Sequence, residues 1–541
     1  MSSIQLNIVD PDLAGSASQA AVALANEKVA SGIAAKDATL WGPDAEAEAA
    51  IRLNWVDLHR TSRPLVPQIA ELRAKLNANG VNRVVLAGMG GSSLAPEVIC
   101  QTAGVPLVVL DTTDAGQVED ALAGDLAATV LVVSSKSGST VETDSHYRIF
   151  NEHFVAAGLD PAEHIVVVTD PGSPLHGRAE DSGLTVINAD PKVGGRYSAL
   201  TAFGLVPSGL AGANIGQLLD DAADASAVLS QDSADNPGLL LGAALSARHA
   251  AGAEKVVLAD TGSGIDGFGD WAEQLIAEST GKHGTGLLPI VVEGPNAPGF
   301  VDAGPDATTT ALGTDPEGAR ITTAGPLGGL FLLWEYATVV AGRLIGINPF
   351  DQPDVEAAKT AARALLDAAA DSAEENPPTF TDGTIEVYAD WLPADTERSA
   401  LGAVRALLAA APELGYLSVQ AYLDRLADAS AAVLRPELAR LSGLQTTFGW
   451  GPRFLHSTGQ YHKGGHQNGV YLQLTGTVPA DVAVPDRPYT LAVLQHAQAL
   501  GDAGVLRERG RPVLRLHLTD RVAGLAQLAG AITEVTRRGK A

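Results

Sequence analysis

The stretch "RVVLAGMGGSSLAPE", residues 83–97, joins a short apolar run to a loop rich in Gly and Ser. The run lacks polar alternation, which is typical of a strand buried on both faces of a parallel sheet. A second stretch, "TVLVVSSKSGSTVETD" (129–144), has the same layout, with hydroxyl residues at Ser135, Ser137, Ser139 and Thr140. In open α/β sheets ligands bind beyond the carboxyl ends of the strands, so both loops are candidate binding loops.

Similar runs recur along the chain, and helix-like segments separate several of them. They lie at 106–111, 164–170, 184–188, 255–260 and 287–293. The two series predict two α/β domains with parallel sheets covered on both sides. Strand-like segments at 469–476 and 512–518 are expected to complete the second sheet, and the Pro- and Gly-rich stretch 294–318 is predicted to be a loop or irregular lobe.

The predicted fold class is therefore α/β, with two doubly wound parallel sheets, a helical N-terminal segment and an inserted lobe. A helix is expected over 353–371, and an Ala-rich helix over 399–411 lies inside the lobe. The predicted units are an N-terminal helical segment (1–75), a first domain (76–215), the first part of a second domain (216–372), an inserted lobe (373–450) and the completion of the second domain with C-terminal helices (451–541).

Composition narrows the classes of function. The chain carries 36 basic and 63 acidic residues, a net charge of −27, which argues against nucleic acid or an acidic membrane surface as a partner. Any basic site is then local, such as a pocket for an anionic metabolite. The single Cys100 fits a reducing cytoplasm, and we expect neither a signal peptide nor a membrane-spanning run.

The two Gly- and Ser-rich loops match neither a Walker loop nor a Gly-x-Gly-x-x-Gly dinucleotide fingerprint. Ser139-x-x-Glu142 has the pattern of a capping box, which predicts a helix beginning near Thr140. Hydroxyl groups and free backbone N–H groups at a helix N-terminus form a phosphate cradle without metal. An ordinary capped strand–helix turn is the alternative for either loop.

The stretch "DWAEQLIAESTGK", Asp270 to Lys282, places an acid where two effects oppose its charge. Helical spacing puts Trp271, Leu275 and Glu278 on one face, and Glu278 falls in the last turn if the helix ends at Gly281. The apolar face and the negative end of the helix dipole are both expected to raise the carboxyl pKa. A solvent-exposed helical Glu is the alternative.

Two further segments carry candidate chemistry. In "VGGRYSAL" (193–200), Arg196 follows two glycines that permit close approach of a ligand. In "GPRFLHSTGQYHKGGHQNG" (451–469), His456, His462 and His466 are spaced by six and four residues with no Cys or acid nearby. That spacing disfavours zinc and favours a positioned acid/base histidine, whereas a solvated surface group is the alternative for Arg196.

Taken together, these motifs resemble the glucose-6-phosphate isomerase family, which is built from two sugar-isomerase (SIS) domains. The matches follow family order over roughly residues 80 to 510: "GMGGSSLAP", "SSKSGSTVET", "VGGRYSA", "QLIAESTGK", "NPFDQPDVEAAK" and "GPRFLHSTGQYHKGG". The C-terminal pieces, including "AQALGDAGVL", look closest to the isomerase half of transaldolase–isomerase fusions.

The resemblance implies reversible aldose–ketose interconversion of glucose 6-phosphate and fructose 6-phosphate through a cis-enediol(ate), a step of glycolysis and gluconeogenesis, without cofactor or metal. It implies Glu278 as the base, Arg196 as the cation facing the enediolate and His456 as the ring-opening group, with His462 as runner-up. In the family this His comes from the neighbouring subunit, which predicts a homodimer with shared sites. The implied substrate- and phosphate-binding residues are Gly91, Ser92, Ser135, Lys136, Ser137, Thr140 and Gln495.

One position departs from the family pattern. The family ends in "Q-x-G-V-E-x-x-K", whereas the aligned stretch here is "QHAQALGD", with Gln495 retained and Asp502 at the Lys position. Lys463 is a candidate to replace that lysine. Four alternatives stay open: a non-catalytic SIS sugar-phosphate sensor, an amino-sugar isomerase, a dual glucose/mannose 6-phosphate isomerase and an NAD-linked oxidoreductase lacking the usual glycine fingerprint.

Overall fold

The computed structural model describes residues 4–315, 317–354, 360, 366 and 377–538. Within these ranges the strands form three sheets. The strands are β1 (Gln5–Ile8), β2 (Arg83–Gly88), β3 (Val108–Leu110), β4 (Thr129–Ser134), β5 (Ile165–Thr169), β6 (Thr185–Asn188), β7 (Lys255–Asp260), β8 (Leu288–Val291), β9 (Ala307–Leu312), β10 (Ile321–Ala324), β11 (Phe380–Asp382), β12 (Ile385–Tyr388), β13 (Tyr416–Tyr422), β14 (Gln445–Trp450), β15 (Gly469–Gly476) and β16 (Val513–Leu518).

The first sheet is parallel throughout, in the order β3-β2-β4-β5-β6. The chain enters at β2, adds β3 on one side and then builds β4, β5 and β6 on the other. The direction of winding therefore reverses at β2, and the loops that leave β2 and β4 share one crevice at the carboxyl edge. These are the two loops that the sequence singles out, and the predicted parallel sheet is confirmed.

The second sheet, β1-β10-β9-β7-β8, contains a strand in a segment predicted to be irregular. The expectation of a loop over 294–318 is wrong for β9, which lies between β7 and β10 and is fully buried. Its sequence, "ATTTAL", is β-branched, but the surrounding Pro and Gly masked that signal. The N-terminal segment also contributes β1, which pairs antiparallel with β10.

The third sheet has the order β11-β12-β16-β15-β13-β14, with β14, β13, β15 and β16 parallel. The prediction that 469–476 and 512–518 complete the second sheet is therefore wrong, because they pair with strands of the predicted lobe. β15 is buried, so its backbone N–H and C=O groups need partners on both edges, and β13 and β16 supply them. The lobe and the C-terminal region thus share one sheet; the domain boundaries stay predictions.

Helices cover the sheets and fill the space between them. Their bounds are Pro11–Asn26, Val29–Ala34, Pro43–Ala49, Leu58–Thr61, Leu65–Ala78, Leu94–Ala103, Ala115–Leu122, Val141–Ala156, Pro161–His164, Pro174–Asp181, Ala202–Ala211, Ile215–Leu229, Pro237–Ala250, Phe268–Thr280, Leu327–Ile345, Ala400–Ala409, Leu434–Ser442, Gly459–Gly464, Leu491–Glu508 and Arg521–Arg538. The Ala-rich helix predicted at 399–411 is thus present, whereas the predicted helix at 353–371 lies mostly outside the described residues.

The helix Leu327–Ile345 is the one candidate membrane span among the described residues, by length and composition only. Glu335 and Arg343 interrupt its apolar residues, and the absence of a membrane-spanning run stays a prediction. Of its most apolar window, 83% is buried within the protein. It belongs to the same core cluster as the helices Ile215–Leu229 and Pro237–Ala250, so its apolar surface packs inside the fold.

Candidate active site

The Glu278 helix, Phe268–Thr280, has the buried face that the sequence predicts. Trp271, Leu275 and Glu278 are all buried, and Glu278 is only 5% exposed in the last turn. Its Oε2 lies 3.5 Å from Nη1 of Arg196, and its Oε1 lies 3.4 Å from the side-chain nitrogen of Gln274. The solvent-exposed alternative for Glu278 is excluded by this burial.

Arg196 is buried and held in a fixed orientation, so the surface alternative does not apply to it. Its Nε donates to the Ser279 hydroxyl at 2.9 Å, and Nη1 donates to the Gln352 side-chain oxygen at 3.0 Å. Its Nη2 donates to the backbone oxygens of Pro349 at 2.7 Å and Asp351 at 3.1 Å. The guanidinium is thus a preorganised positive charge next to the Glu278 carboxylate.

Lys282 supports the same segment from the other side. Its Nζ donates to the backbone oxygens of Asn348 at 2.7 Å and Asp351 at 2.6 Å, and to the Asp351 carboxylate at 2.6 Å. Burial and the nearby Arg196 charge lower the pKa of Lys282 to about 8, although Asp351 opposes them. The turn 348–352 is therefore clamped between two buried cations.

His456 is paired with Glu142, a residue that the sequence analysis assigned to a helix cap. Its Nε2 lies 3.1 Å from Oε1 of Glu142. The helix Val141–Ala156, called the Glu142 helix below, begins where predicted, but the capping box is wrong: Thr140 is the N-cap without a side-chain cap bond. The side chain of Glu142 instead reaches His456, and burial of the pair favours that contact over a solvated cap.

Gln274 brings these groups into one site. Its side-chain nitrogen, 3.4 Å from Glu278, also donates to the backbone oxygen of His456 at 2.9 Å. Gly90, in the loop after β2, packs so closely here that a Cβ would lie 2.7 Å from that nitrogen and 2.9 Å from the His456 oxygen. The loop after β2, the Glu278 helix and the loop that carries His456 therefore meet around the Gln274 side chain.

His456 makes these contacts with its own chain. That the neighbouring subunit supplies this histidine stays a prediction, although within one chain His456 already lies beside Glu142 and Gln274. The structural reason is that the loop following β14 folds back onto the Glu142 helix of the first sheet. A homodimer stays a prediction.

The loop leaving β4 is organised by its own hydroxyl groups. The Ser135 hydroxyl donates to the Thr140 hydroxyl at 3.1 Å and accepts from the backbone N–H of Gly138 at 3.2 Å. The hydroxyls of Ser137 and Ser139 lie 2.8 Å apart and are exposed. This loop ends at the N-terminus of the 16-residue Glu142 helix, where an anion is favoured by the helix dipole.

The remaining cradle residues lie around these loops. Lys136 forms an ion pair with Asp170 at 2.6 Å, so its charge is already partnered beside the β4 loop. Gly91 and Ser92 belong to the loop after β2, and the Ser198 hydroxyl donates to the Gly91 oxygen at 3.3 Å. The segment carrying Arg196 therefore packs directly on the β2 loop.

Gln495, the last of the predicted substrate-binding residues, lies apart from the loops after β2 and β4. It lines a separate pocket of about 250 Å³ beyond the carboxyl ends of β13 and β15, together with Tyr422, Thr475, His496 and His517. Three residues further along the same helix, Gln498 donates to Glu142 at 2.7 Å. Sequence reasoning missed Gln498, and its only signal is a spacing that puts it near Gln495 on one helix face.

The other two histidines have different surroundings. His462 is buried, and its ring nitrogens lie 3.0 Å from the Tyr416 hydroxyl and 3.3 Å from the Ser418 hydroxyl. Burial lowers the pKa of His462 well below its ordinary value, and its ring packs among core residues; its place as runner-up for ring opening stays a prediction. His466 is half exposed and contacts Glu254 at 2.9 Å.

Lys463, the candidate to replace the family's C-terminal lysine, lies beside the position that this lysine would occupy. Lys463 and Asp502, which stands at the family's Lys position, form a buried ion pair. The Lys463 ammonium also donates to the Gly459 oxygen at 3.3 Å, close to the His456 loop. The ammonium group of Lys463 therefore lies next to Asp502, where the family pattern has a lysine. It comes from the helix Gly459–Gly464 and not from the helix that carries Asp502.

A protonated acid also borders the site. Glu273 lies in the Glu278 helix and accepts a hydrogen bond from the Ser457 hydroxyl at 3.1 Å, next to His456. Burial and the neighbouring Asp270 carboxyl raise the pKa of Glu273 to about 8. At neutral pH this side chain is mainly neutral, so it adds little negative charge beside Glu278.

The fold is shared with solved structures. A hypothetical protein from Thermus thermophilus matches with a TM-score of 0.58 and 25% identity, over 67% of this chain and 99% of that one. A glucose-6-phosphate isomerase from Chlamydia trachomatis matches with a TM-score of 0.55 and 19% identity, over 68% of this chain and 89% of that one. With its site at the edge of a parallel sheet, the protein has the SIS-type fold of the phosphosugar isomerases.

Sequence comparison narrows this class. A probable glucose-6-phosphate isomerase from Haloarcula marismortui is 30% identical over 338 residues, covering 52% of this chain and 78% of that one. A glucose-6-phosphate isomerase from Rubrobacter xylanophilus is 29% identical over 366 residues, covering 53% of this chain and 83% of that one. No protein-family model matches the chain. The chain belongs to the glucose-6-phosphate isomerase family and is an isomerase.

Proposed function

We propose that the protein catalyses the reversible conversion of glucose 6-phosphate to fructose 6-phosphate through a cis-enediol(ate). The observation that carries this proposal is the buried pair of Glu278 and Arg196, joined through Gln274 to the His456 loop. A carboxylate base, a fixed cation and an acid/base imidazole in one crevice are the groups that an aldose–ketose isomerisation needs.

In the proposed reaction His456 first opens the sugar ring. It takes the proton of the O1 hydroxyl and delivers a proton to the ring oxygen, while Glu142 holds the imidazole at 3.1 Å. The C1–ring oxygen bond breaks and an open-chain aldehyde forms. No oxidant is needed, because the proton only moves between two oxygens of the same molecule.

Glu278 then moves a proton between two carbons. It removes the C2 proton of the aldehyde, giving a cis-enediolate, and returns that proton to C1 to give the ketose; the hydroxyl proton moves from O2 to O1. Arg196, fixed by Ser279, Gln352 and Pro349, faces the negative charge as it develops on oxygen. Its hydrogen bonds form before the reaction, so the cation needs no reorganisation in the transition state.

The phosphate group is proposed to lie against the loop after β4. The hydroxyls of Ser135, Ser137 and Thr140 and the N-terminus of the Glu142 helix offer donors to its oxygens. Gly91 and Ser92 of the β2 loop complete this wall. A cytoplasmic location and a homodimer belong to the same proposal.

The test is the coupled assay of glucose 6-phosphate formation from fructose 6-phosphate, without added metal. We expect Glu278→Gln to lower kcat by about 10³-fold, as removal of a general base does. Glu335→Gln is the matched control: it makes the same change at a buried residue outside the site, and it should keep wild-type kcat.

Two outcomes would overturn the proposal in different ways. Wild-type protein that binds the sugar phosphate without turnover would exclude this activity and favour a sensor. Full activity of Glu278→Gln would keep the reaction but exclude Glu278 as its base. The same assay with mannose 6-phosphate separates a dual isomerase from one restricted to glucose 6-phosphate.

A further inference from the structure

A continuous chain of buried hydrogen bonds leads away from His456. The Thr113 hydroxyl donates to Oε1 of Gln498 at 2.8 Å, and Nε2 of Gln498 donates to Oε1 of Glu142 at 2.7 Å. The same Glu142 oxygen is 3.1 Å from Nε2 of His456. Thr113, Gln498 and Glu142 are all less than 5% exposed.

The donor and acceptor in each of these hydrogen bonds are fixed by the chemistry of the groups. An ionised carboxylate only accepts hydrogen bonds, so the Gln498 amide must turn its NH₂ group toward Glu142. Its carbonyl oxygen then faces Thr113, whose hydroxyl donates to it. Without that hydroxyl, nothing in this contact distinguishes the two orientations of the amide, and the flipped one would set an acceptor against the carboxylate.

We propose that Thr113 and Gln498 are positioning residues of the ring-opening step. They hold the Glu142 carboxylate in the rotamer that orients His456, although neither contacts the reacting atoms. The inference rests on the proposed role of His456. The three residues come from different parts of the sequence. Thr113 follows β3, Glu142 lies at the start of the Glu142 helix, and Gln498 lies in the helix between β15 and β16.

In this arrangement, connections of the third sheet help to position the Glu142 carboxylate. Gln498 and His456 both belong to its connections, whereas Thr113 and Glu142 belong to the first sheet. The carboxylate thus lies between two sheets, where it accepts a hydrogen bond from the Gln498 amide and contacts the imidazole of His456. Loss of the amide donor leaves the Glu142 rotamer less restrained and the imidazole less well oriented.

Ring opening can be measured apart from isomerisation. Opening and reclosing interconvert the α and β anomers of glucose 6-phosphate, and this exchange does not need the carbon base. In a Glu278→Gln background, NMR exchange spectroscopy should therefore report the His456 step alone. We compare Thr113→Val and Gln498→Met, which remove one hydrogen-bonding group at similar volume, with Thr113→Ser, which keeps the hydroxyl.

We expect Gln498→Met to lower protein-catalysed anomer exchange about tenfold or more, as for a lost hydrogen bond to a charged group. Thr113→Val should lower it in the same direction, because the Gln498 amide loses the donor that fixes its orientation. Thr113→Ser should rescue most of the rate. The dissociation constant for glucose 6-phosphate should change less than about threefold in all three, because none of these side chains touches the phosphate cradle. If Thr113→Val does not fold, Gln498→Met carries the test.

The negative outcomes are distinguishable. Anomer exchange that is equal in all variants, or a rate loss matched by an equal loss of affinity, would overturn the positioning role while leaving the isomerase proposal intact. If Glu278→Gln alone shows no exchange above the spontaneous rate, the His456 role fails and the inference fails with it. Wild-type turnover in the coupled assay shows which of the two has failed.

Discussion

Arg196 is a residue whose orientation is fixed by its neighbours, and we expect that orientation to matter as well as its charge. Its three nitrogens contact five groups on two segments, Ser279 and Glu278 on one side and the turn 349–352 on the other. A planar guanidinium can meet acceptors in several directions at once, whereas an ammonium is a point charge on a flexible stem. The fixed plane therefore sets the direction in which the positive charge points.

Replacing Arg196 with Lys keeps the positive charge but removes the planar guanidinium, so it tests whether the orientation matters. We expect Arg196→Lys to lower kcat by about 10²-fold, the size of effect seen when a preorganised transition-state donor is removed. The coupled assay measures it. Arg440→Lys is the matched control, since Arg440 lies in a surface pair with Glu437 and should leave kcat unchanged. A kcat for Arg196→Lys within about threefold of wild type would contradict the argument.

Glu335 is a buried acid in the apolar helix Leu327–Ile345, and its carboxyl oxygens have no hydrogen-bond partner among the described residues. Burial raises the pKa of Glu335 well above its ordinary value. The folded state therefore keeps the neutral form, whereas the unfolded chain ionises above about pH 4.5. The contribution of Glu335 to stability is present below that pH and is lost as pH rises toward the folded pKa.

Glu335→Gln should flatten the dependence of stability on pH. One proton is worth about 1.4 kcal/mol per pH unit over the range in which only the unfolded chain is ionised. We expect urea unfolding at about pH 4 to give similar free energies for both proteins, and at about pH 8 the variant should be more stable. Some slope should remain, because Glu273 also has a raised pKa. Equal stabilities at the higher pH would contradict this account.

At the scale of elements, the end of the Glu278 helix depends on the close approach of another helix. A Cβ at Gly281 would lie 2.6 Å from Cα of Tyr461, in the helix Gly459–Gly464. Gly281 has φ −78°, so it is required for space and not for a left-handed turn. Gln460 of the same short helix donates to the Gly281 oxygen at 2.9 Å. This contact joins the helix that carries Glu278 to the loop that carries His456.

Gly281→Ala should therefore push the two helices apart. Backbone cannot yield as a flexible side chain can, so we expect a loss of stability of about 1–3 kcal/mol, in the range for overpacking. The value of kcat should fall with it, since Glu278 and His456 would separate. Urea unfolding and the coupled assay give the two measurements.

The control for this substitution is Gly177→Ala. Gly177 lies within the helix Pro174–Asp181, and a Cβ there meets nothing within 4 Å. The alanine should raise stability by up to about 1 kcal/mol through its better helix propensity. A Gly281→Ala protein as stable and as active as this control would show that the helices tolerate the methyl group.

At the scale of the whole molecule, Arg453 joins all three sheets. It comes from the loop after β14 and lies 2.6 Å from Glu97 and 2.7 Å from Asp111, both in the first-sheet region. It also lies 3.4 Å from Asp270 in the Glu278 helix. Burial alone would raise the pKa of Glu97, but Arg453 and a second arginine lower it to about 2.

Removing this cation should loosen the assembly of the three sheets. Buried carboxylates left without their partner cost about 3–5 kcal/mol, so we expect Arg453→Met to lower the free energy of unfolding by that amount at neutral pH. Because Glu97 has a lowered pKa, its share of the stability is present above about pH 4.5 and is lost as pH falls toward about 2. The gap between variant and wild type should therefore shrink on acidification.

Arg440→Met controls for the loss of a guanidinium at the surface, where ion pairs contribute at most about 1 kcal/mol. Urea unfolding at about pH 7 and about pH 3 compares the three proteins. A loss for Arg453→Met that is as small as this control would show that the buried ions do not couple the sheets.

The sequence by itself determined the local elements of the first sheet and indicated the main candidate site residues. Continuous β-branched runs define β2, β4 and β5 because a strand covered on both faces needs apolar side chains at every position. Glu278 was identified because helix spacing is local: an acid among apolar residues in a last turn is visible from the stretch 270–282 alone. The same reasoning failed for β9, a Thr-rich strand whose pairing with β7 and β10 is not visible in any local pattern.

The tertiary structure decided which elements meet. Only folding shows that the loop after β14 returns to the Glu142 helix, that Glu142 pairs with His456 instead of capping its helix, and that Gln498 reaches the site while Gln495 lines another pocket. Glu142 lies 314 positions from His456 and 356 from Gln498, and no periodicity in the sequence encodes such contacts. Local propensity fixes which residues form a helix or strand, but pairing between distant elements depends on which apolar faces and buried charges can satisfy one another across the whole molecule.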